Sequence, residues 1–268
     1  MDVTAIVCTR NSEQSLQACL RSLVNSNVRE IIVVDAHSTD ATQAIAERYG
    51  ATILSDAGEG LGAARNIGIA ASSGKFILNM GSDNFLPVGQ LEIMMKALDD
   101  VQGVGAVTVI ASTGFIANGL NAWRRARFRP GEVSVIGTPS LFNGDLLRAN
   151  PFDEGRRFSD DSELCERWRR DLGARFVISS AVVMESGRTS ISELVARCKM
   201  YGVSDGEVFR DGVNSGWSRS RRVQSLLHPL RVDLLEPMMI LPFFESLKAA
   251  PFLVVFVMLR YLGWIGSR

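Results

Sequence analysis

The chain has 268 residues, enough for one large α/β domain with a substantial core or for two smaller ones. Its 29 lysines and arginines balance 29 aspartates and glutamates, so net charge points to no partner. Cys8, Cys19, Cys165 and Cys198 are scattered and only His37 and His228 accompany them; this speaks against a zinc site and reads as buried free thiols of a reducing compartment.

In chain order, residues 3–8 are an apolar run that opens the fold as a strand. With a strand starting there, no signal peptide is expected ahead of it, and the amino-terminal domain is expected in the cytosol. Residues 15–25 carry helical spacing through Leu16, Cys19, Leu20 and Leu23. Residues 30–35 contain IIVV, the β-branched run of a strand buried on both faces. Ser38 or Thr39 then opens a helix to about Tyr49.

A short strand is predicted over 51–54, a helix over 61–72, a strand over 76–80, a helix over 88–98 and a strand over 104–109. Such alternation argues for a mostly parallel sheet covered by helices. Ligands of such sheets bind beyond the carboxyl ends of the strands. Two acids lie at such ends: Asp35 after IIVV, and Asp83 just past FILNM.

From 111 to 190 the pattern loosens. GLNAWRRARFRPG (119–131) carries four arginines and two aromatics, and a short strand near 140–142 precedes a helix over 161–171. Residues 190–202 read as a further helix ending at Gly202. Beyond 232 come two apolar blocks, PMMILPFF and AAPFLVVFVML, interrupted by Pro237, Pro242 and Pro251. Neither reaches the roughly 20 residues of a spanning helix.

Three stretches carry a family resemblance: IIVVDAHSTDAT (31–42), GLGAARNIGIAASSGKFILNMGSDNFLP (60–87) and FDEGRRFSDDSELCERW (152–168). Their order and spacing, with VTAIVCTRNSEQSLQACLRSL ahead of them, resemble the family 2 glycosyltransferases across roughly residues 3–205. The resemblance implies the GT-A fold: an α/β nucleotide-diphospho-sugar transferase with a mostly parallel central sheet flanked by helices, here with an apolar C-terminal tail. It implies a catalytic domain over 1–205, its nucleotide-binding half to about 110 and its acceptor half from 111, and a basic and apolar extension over 206–268.

The resemblance also implies roles. Thr9, Asp35, Arg65, Ser82 and Asp83 would bind the donor, with Asp35 on the nucleobase and Arg65 near the diphosphate; a salt bridge within the fold is the competing reading of Arg65. Asp83 matches the last acid of the DxD motif and would hold Mn²⁺ or Mg²⁺. Position 81 is Gly where relatives have the first acid, which concerns how the nucleoside is held more than the cation. Asp161, with Asp160 beside it, matches the acidic pair whose second member is the catalytic base. A carboxylate suits that role when its surroundings tune its pKa.

Other residues have structural readings. Asp40 suits a helix start, where the macrodipole favours negative charge. His37 reads as a loop residue rather than a catalyst. Gly58, Gly60 and Gly62 enter a helix without following the first strand, so they are no dinucleotide fingerprint. Glu163 and Arg167 are spaced for an ion pair within one helix turn.

The resulting expectation is an inverting, metal-dependent transfer of sugar from a UDP- or GDP-sugar to an acceptor hydroxyl, in polysaccharide or glycoconjugate synthesis. The apolar tail, residues 232–266, is expected on a membrane surface, with Arg219, Arg221, Arg222 and Arg231 toward anionic headgroups and Tyr261 and Trp264 at the boundary. That would place the protein on the inner face of the cell membrane, peripheral or monotopic, acting on a glycan or lipid-linked acceptor. Packing of the tail on protein, or on a second subunit of a homo-oligomer, is the competing expectation. The WRRARFR segment would line the acceptor side or form a solvated amphipathic helix; nucleic acid is not an expected partner. A degenerate relative that binds nucleotide sugars without turnover is favoured only by Gly81. A sugar nucleotidyltransferase would need a glycine-rich basic first loop where this chain has VCTRNSEQ.

Overall fold

The computed structural model describes residues 1–266 except 57, 59, 156–159 and 188; residues 156–159 of the FDEGRRFSDD stretch therefore lie outside the described residues. The chain divides into two compact units, Met1–Val109 with Pro130–Ser186, and Ile110–Arg129 with Gly187–Arg268.

The first unit begins with the expected alternation: β1 (Val3–Thr9), α1 (Leu16–Asn25), β2 (Glu30–Asp35), α2 (Thr42–Arg48), β3 (Thr52–Ser55), α3 (Leu61–Ala71) and β4 (Phe76–Gly81). Then follow β5 (Asn84–Phe85), α4 (Gln90–Ala97) and β6 (Gly103–Ile110). After helix α5 (Phe115–Arg127), which belongs to the second unit, come β7 (Gly131–Val133), β8 (Ser140–Asn143), α6 (Gly144–Ala149), α7 (Asp160–Leu172) and β9 (Phe176–Glu185). The sheet runs β3-β2-β1-β4-β8-β6-β9-β5, with β7 on β9. Its first four strands are parallel, and β8 pairs antiparallel with β4.

Side chains alternate across a strand, so each strand feeds two cores. Val3, Ala5 and Val7 of β1 face one core with Leu16, Leu20 and Leu91. Ile6, with Ile32 and Val34 of β2, faces the other with Ala64, Ile69 and Trp168. Burial on both faces is what the unbroken IIVV run required. The ten-residue strand β9 was hidden from periodicity because SSAVVME mixes buried and half-buried positions.

The second unit is helical: α5, α8 (Ile191–Asn214), α9 (Arg219–Leu230), a π-helical segment (Arg231–Leu235), α10 (Glu236–Ile240) and α11 (Phe243–Ile265). Helix α8 starts at a capping box, Ser190 and Glu193 each bonding the other's backbone N–H. It does not end at Gly202, and the domain boundary expected at 205 falls inside it. Gly202 marks a close approach instead: a β-carbon there would overlap the Arg260 carbonyl of α11.

The first apolar block is split, its residues 237–240 in α10 and Phe243 and Phe244 opening α11, while the second block lies wholly within this 23-residue helix, which runs through Pro251. An interior proline costs about 3 kcal/mol. Burial of Phe252, Leu253 and Phe256, each contributing about 1.5–3 kcal/mol, outweighs that cost. Among the described residues α11 is the one helix long and apolar enough to cross a membrane by length and composition, and 44% of its most apolar window is buried in protein. Trp264, expected at a membrane boundary, is buried and packs on Phe209. The WRRARFR segment belongs to α5, where Trp123 and Arg124 are buried and Arg125 is exposed. All four cysteines are free. Burial pushes the Cys8 thiol up to about 12 and that of Cys165 to about 11, so these are packing residues rather than nucleophiles.

Candidate functional site

Strands β2, β1 and β4 lie side by side and parallel, so Asp35, Thr9 and the β4 turn with Ser82 and Asp83 share the carboxyl edge of the sheet. Thr9 is buried, and its hydroxyl has no hydrogen-bond partner in the protein. An unsatisfied buried hydroxyl at a strand end is what a ligand contact would resolve.

Asp35 is 1% exposed. Its carboxylate accepts from the Ser38 backbone N–H at 3.0 Å, the Ser38 hydroxyl at 2.5 Å and the Gln43 amide at 2.7 Å. A carboxylate has about four acceptor sites, so one further donor is accommodated. The loops after β1 and β2 are tied together around it. Asn11 Oδ1 accepts from the Thr39 N–H, Asp40 Oδ2 accepts from the Glu13 N–H, and Glu13 Oε2 accepts from the Ala41 N–H. Asp40 also accepts from Thr42 at the start of α2, so it caps as expected. His37 is exposed in this loop with φ of 55°, a left-handed turn position.

The turn after β4 explains Gly81. Asn84 Oδ1 accepts from the Gly81 N–H at 3.2 Å. A β-carbon at 81 would stand 2.7 Å from Asn84 Oδ1 and 2.9 Å from Asp83 Oδ1. Asn84 is buried, so the space an acid at 81 would need is filled by its two neighbours. The Asp83 carbonyl accepts from the Ser186 N–H and hydroxyl, each at 2.8 Å, and Ser82 meets Ser12 at 3.0 Å between hydroxyls. No group of three or more His, Cys, Asp or Glu side chains placed to hold a metal exists among the described residues. One carboxylate fits a cation of the Mg²⁺ type that is bound jointly by a single acid and the phosphates of its substrate.

The tightest charge cluster lies at the start of α7. Arg65 of α3 is 4% exposed; its Nη1 donates to Asp160 Oδ2 at 2.6 Å and Asp161 Oδ1 at 2.9 Å, and its Nη2 donates to the Thr138 hydroxyl at 2.5 Å. The guanidinium also lies 4.9 Å from the Phe152 ring centre. Asn66 extends the cluster, donating to the Phe152 carbonyl and the Glu154 carboxylate and accepting from the Phe152 N–H. Arg65, expected near the diphosphate, is thus paired with the two acids through Nη1. Burial raises the Asp161 pKa above the ordinary carboxylate value, Arg65 opposes that rise, and the Asp160 charge adds to it. Asp161 is the more open of the pair, its side chain 25% exposed against 11% for Asp160. One turn on, Arg167 and Glu163 form the expected ion pair at 2.7 Å.

Sequence reasoning missed Thr138 and Phe152 as parts of this cluster. Thr138 stands in an irregular segment with no periodic signal, and Phe152, though it opens the FDEGRRFSDDSELCERW stretch, has an apolar ring that does not mark it as a partner of a cation.

A model of the glycosyl transferase family 2 matches residues 4–150. Succinoglycan biosynthesis protein ExoO of Rhizobium meliloti is 24% identical over 222 residues, covering 78% of this chain and 63% of ExoO. EpsH of Bacillus subtilis is 35% identical over 105 residues, 37% of this chain and 30% of EpsH. The chain therefore spans less than two thirds of the length of either relative. Among solved structures, S. aureus TarS residues 1–349 in complex with UDP-GlcNAc has a TM-score of 0.55 at 17% identity, covering 98% of this chain and 89% of that one. Glucosyl-3-phosphoglycerate synthase from Mycobacterium tuberculosis, in complex with Mn²⁺, UDP and glucosyl-3-phosphoglycerate, has a TM-score of 0.52 at 21% identity, covering 72% and 74%. These structural likenesses establish the expected GT-A fold, and the matched model together with the sheet-edge acids establishes the kinship: the chain belongs to glycosyltransferase family 2.

Proposed function

We propose that this chain is an inverting glycosyltransferase that moves a sugar from a UDP-sugar to a hydroxyl of a lipid-linked glycan. The observation that carries the reading is the acidic pair clamped by Arg65, with Asp161 its more open and proton-attracting member. UDP is favoured over GDP because TarS and glucosyl-3-phosphoglycerate synthase were crystallised with uridine nucleotides.

Asp161 accepts the acceptor's hydroxyl proton as that oxygen attacks the anomeric carbon. The bond from that carbon to the diphosphate oxygen breaks, and its electron pair leaves with the nucleotide. Attack from the face opposite the leaving group inverts the anomeric centre. Thr9 and Asp35 contact the nucleoside, and Ser82 borders the diphosphate. Asp83 would hold a Mn²⁺ or Mg²⁺ ion, which when bound would offset the charge on the departing diphosphate. Arg65 keeps Asp161 aimed and Asp160 paired.

The second unit supports a membrane-surface location. Phe243, Phe244 and Leu247 of α11 and Met239 of α10 are exposed apolar side chains, at 74%, 75%, 61% and 84%. Arg219 and Arg221 are exposed on α9. Near its other end α11 carries Arg260 into a buried network with Asp205 and Asp233, so one side of the helix is committed to protein. The helix therefore lies on the bilayer surface, at the cytoplasmic face where nucleotide sugars are available, rather than crossing it.

A thermal-shift titration with UDP and GDP, with and without Mn²⁺, tests the donor site. Stabilisation by UDP that grows with Mn²⁺ is expected; no response to any nucleotide would refute the reading.

A further inference from the structure

Helices α5 and α11 enclose a cavity of about 390 Å³ within the second unit. Its apolar lining is made of small residues and rings: Gly119, Ala122, Ala249 and the buried Phe252, with the exposed Phe115 at its edge. The helices approach closely here, since a β-carbon on Gly119 would overlap the Phe252 ring, and Phe115 meets that ring edge-on at 5.8 Å. Ala122 and Ala249 fill little space, which leaves the groove open. Its volume lies within the range of small-molecule sites, roughly 300–1,000 Å³.

The rim has the opposite chemistry. Asn118, Asn121, Arg125, Glu245 and Lys248 border it. Asn121 is used internally, bonding the Ile110 backbone in both directions, and Arg125 donates to Glu245 at 2.6 Å. Lys248 has no ion-pair partner, and the Asn118 side chain no hydrogen bond, among the described residues. The rim thus holds two cations against one carboxylate, a net positive charge with an uncompensated ammonium above an apolar floor. On α11, Phe243, Phe244 and Leu247 stand exposed within a turn or so of Lys248. A groove that joins an apolar floor to a cationic rim, beside side chains suited to a lipid surface, matches the junction between a hydrocarbon chain and a phosphate.

We infer that this groove seats a phosphate-bearing lipid, with its chain on Phe115, Ala122, Ala249 and Phe252 and its phosphate on Lys248 and Arg125. The inference rests on the membrane-surface reading of this unit and deepens it, from a surface that adheres to lipid to a site that selects one lipid chemistry. Such a site would hold the phosphate-bearing lipid acceptor of the proposed transfer on the enzyme.

The test measures binding of decyl phosphate below its micellar concentration to the full chain by calorimetry, with decanol and inorganic phosphate as separate arms. Decyl phosphate is expected to bind at least tenfold more tightly than either fragment. Lys248→Gln is expected to weaken decyl phosphate at least fivefold without changing decanol. Ala122→Leu, which fills the floor, is expected to weaken both. Equal affinity for inorganic phosphate would assign the site to a free anion and overturn the inference. Unchanged decyl phosphate binding in both variants would also overturn it.

Co-sedimentation with phosphatidylglycerol vesicles separates this inference from the reading beneath it. Phe243→Ser with Phe244→Ser should abolish sedimentation if the unit docks on lipid. Wild-type sedimentation combined with decyl phosphate binding that ignores Lys248 and Ala122 refutes the groove alone. Absence of wild-type sedimentation refutes the surface reading.

Discussion

Replacing Asp161 by Asn should move activity and stability in opposite directions. In the folded protein the Asp161 pKa is raised, chiefly by burial, so the native state binds its proton more tightly than the unfolded chain does. The sign follows from linkage: a raised carboxylate pKa lowers stability as pH climbs above the unfolded value, and the loss is complete above the folded one. At pH 7 the wild type therefore carries a destabilising charge that Asn removes. The amide keeps an oxygen for Arg65, which retains Asp160 at 2.6 Å and Thr138. The gain should lie at about 0.5–2 kcal/mol, the range of other single stabilising changes. With a urea slope of roughly 1–3 kcal/mol/M, the midpoint should rise by a few tenths of a molar to about 1 M. Urea melts at pH 7.5 and 5.0 measure this, and the advantage should shrink on acidification, in the direction of the raised Asp161 pKa. Sugar transfer should fall by about 10²–10⁴, the usual contribution of a general base, while UDP binding is retained. A variant less stable than wild type at pH 7.5, or a gain indifferent to pH, would refute the account of Asp161 as a charge held against burial.

Arg65→Met removes the ion partner that both acids share and should destabilise by about 3–5 kcal/mol at pH 7, a deficit that lessens on acidification; chemical denaturation at both pH values checks it. The acid limb of the pH–kcat/KM profile should lie above the ordinary carboxylate range in the wild type; a limb at the free-aspartate value would remove Asp161 from the base role. Gly81→Asp, which supplies the missing first acid of the motif, should weaken rather than improve the Mn²⁺-dependent shift with UDP, because its β-carbon displaces Asn84 and Asp83. Gly202→Leu should separate α8 from α11 at the Arg260 carbonyl and cost at least about 1–3 kcal/mol, read as a lowered melting temperature.

The alternation of strand and helix through residue 110 was legible because a strand buried on both faces must be continuously apolar, and IIVV and AIV satisfy that with few alternatives. The same logic put Asp35 and Asp83 at strand ends, since an acid terminates a run that burial otherwise demands. Motif order supplied the acidic pair and the family. Local pattern failed where partners are remote. Nothing near Arg65 in the chain indicates that it binds carboxylates 95 and 96 residues away, and phosphate was an equally good partner by chemistry alone. Pro251 reads locally as a break, yet α11 passes through it because Phe252 and Phe256 just beyond it are buried against α5 and α8. Gly81 looked like a lost ligand until folding placed the Asn84 amide where a side chain would stand. The alternating elements up to residue 110, the sheet-edge acids and the kinship are all written in local periodicity and motif spacing. Which charges meet, which prolines and glycines a helix tolerates, and where the groove between α5 and α11 opens are set by folding, because they depend on residues brought together from 58 to 120 positions apart.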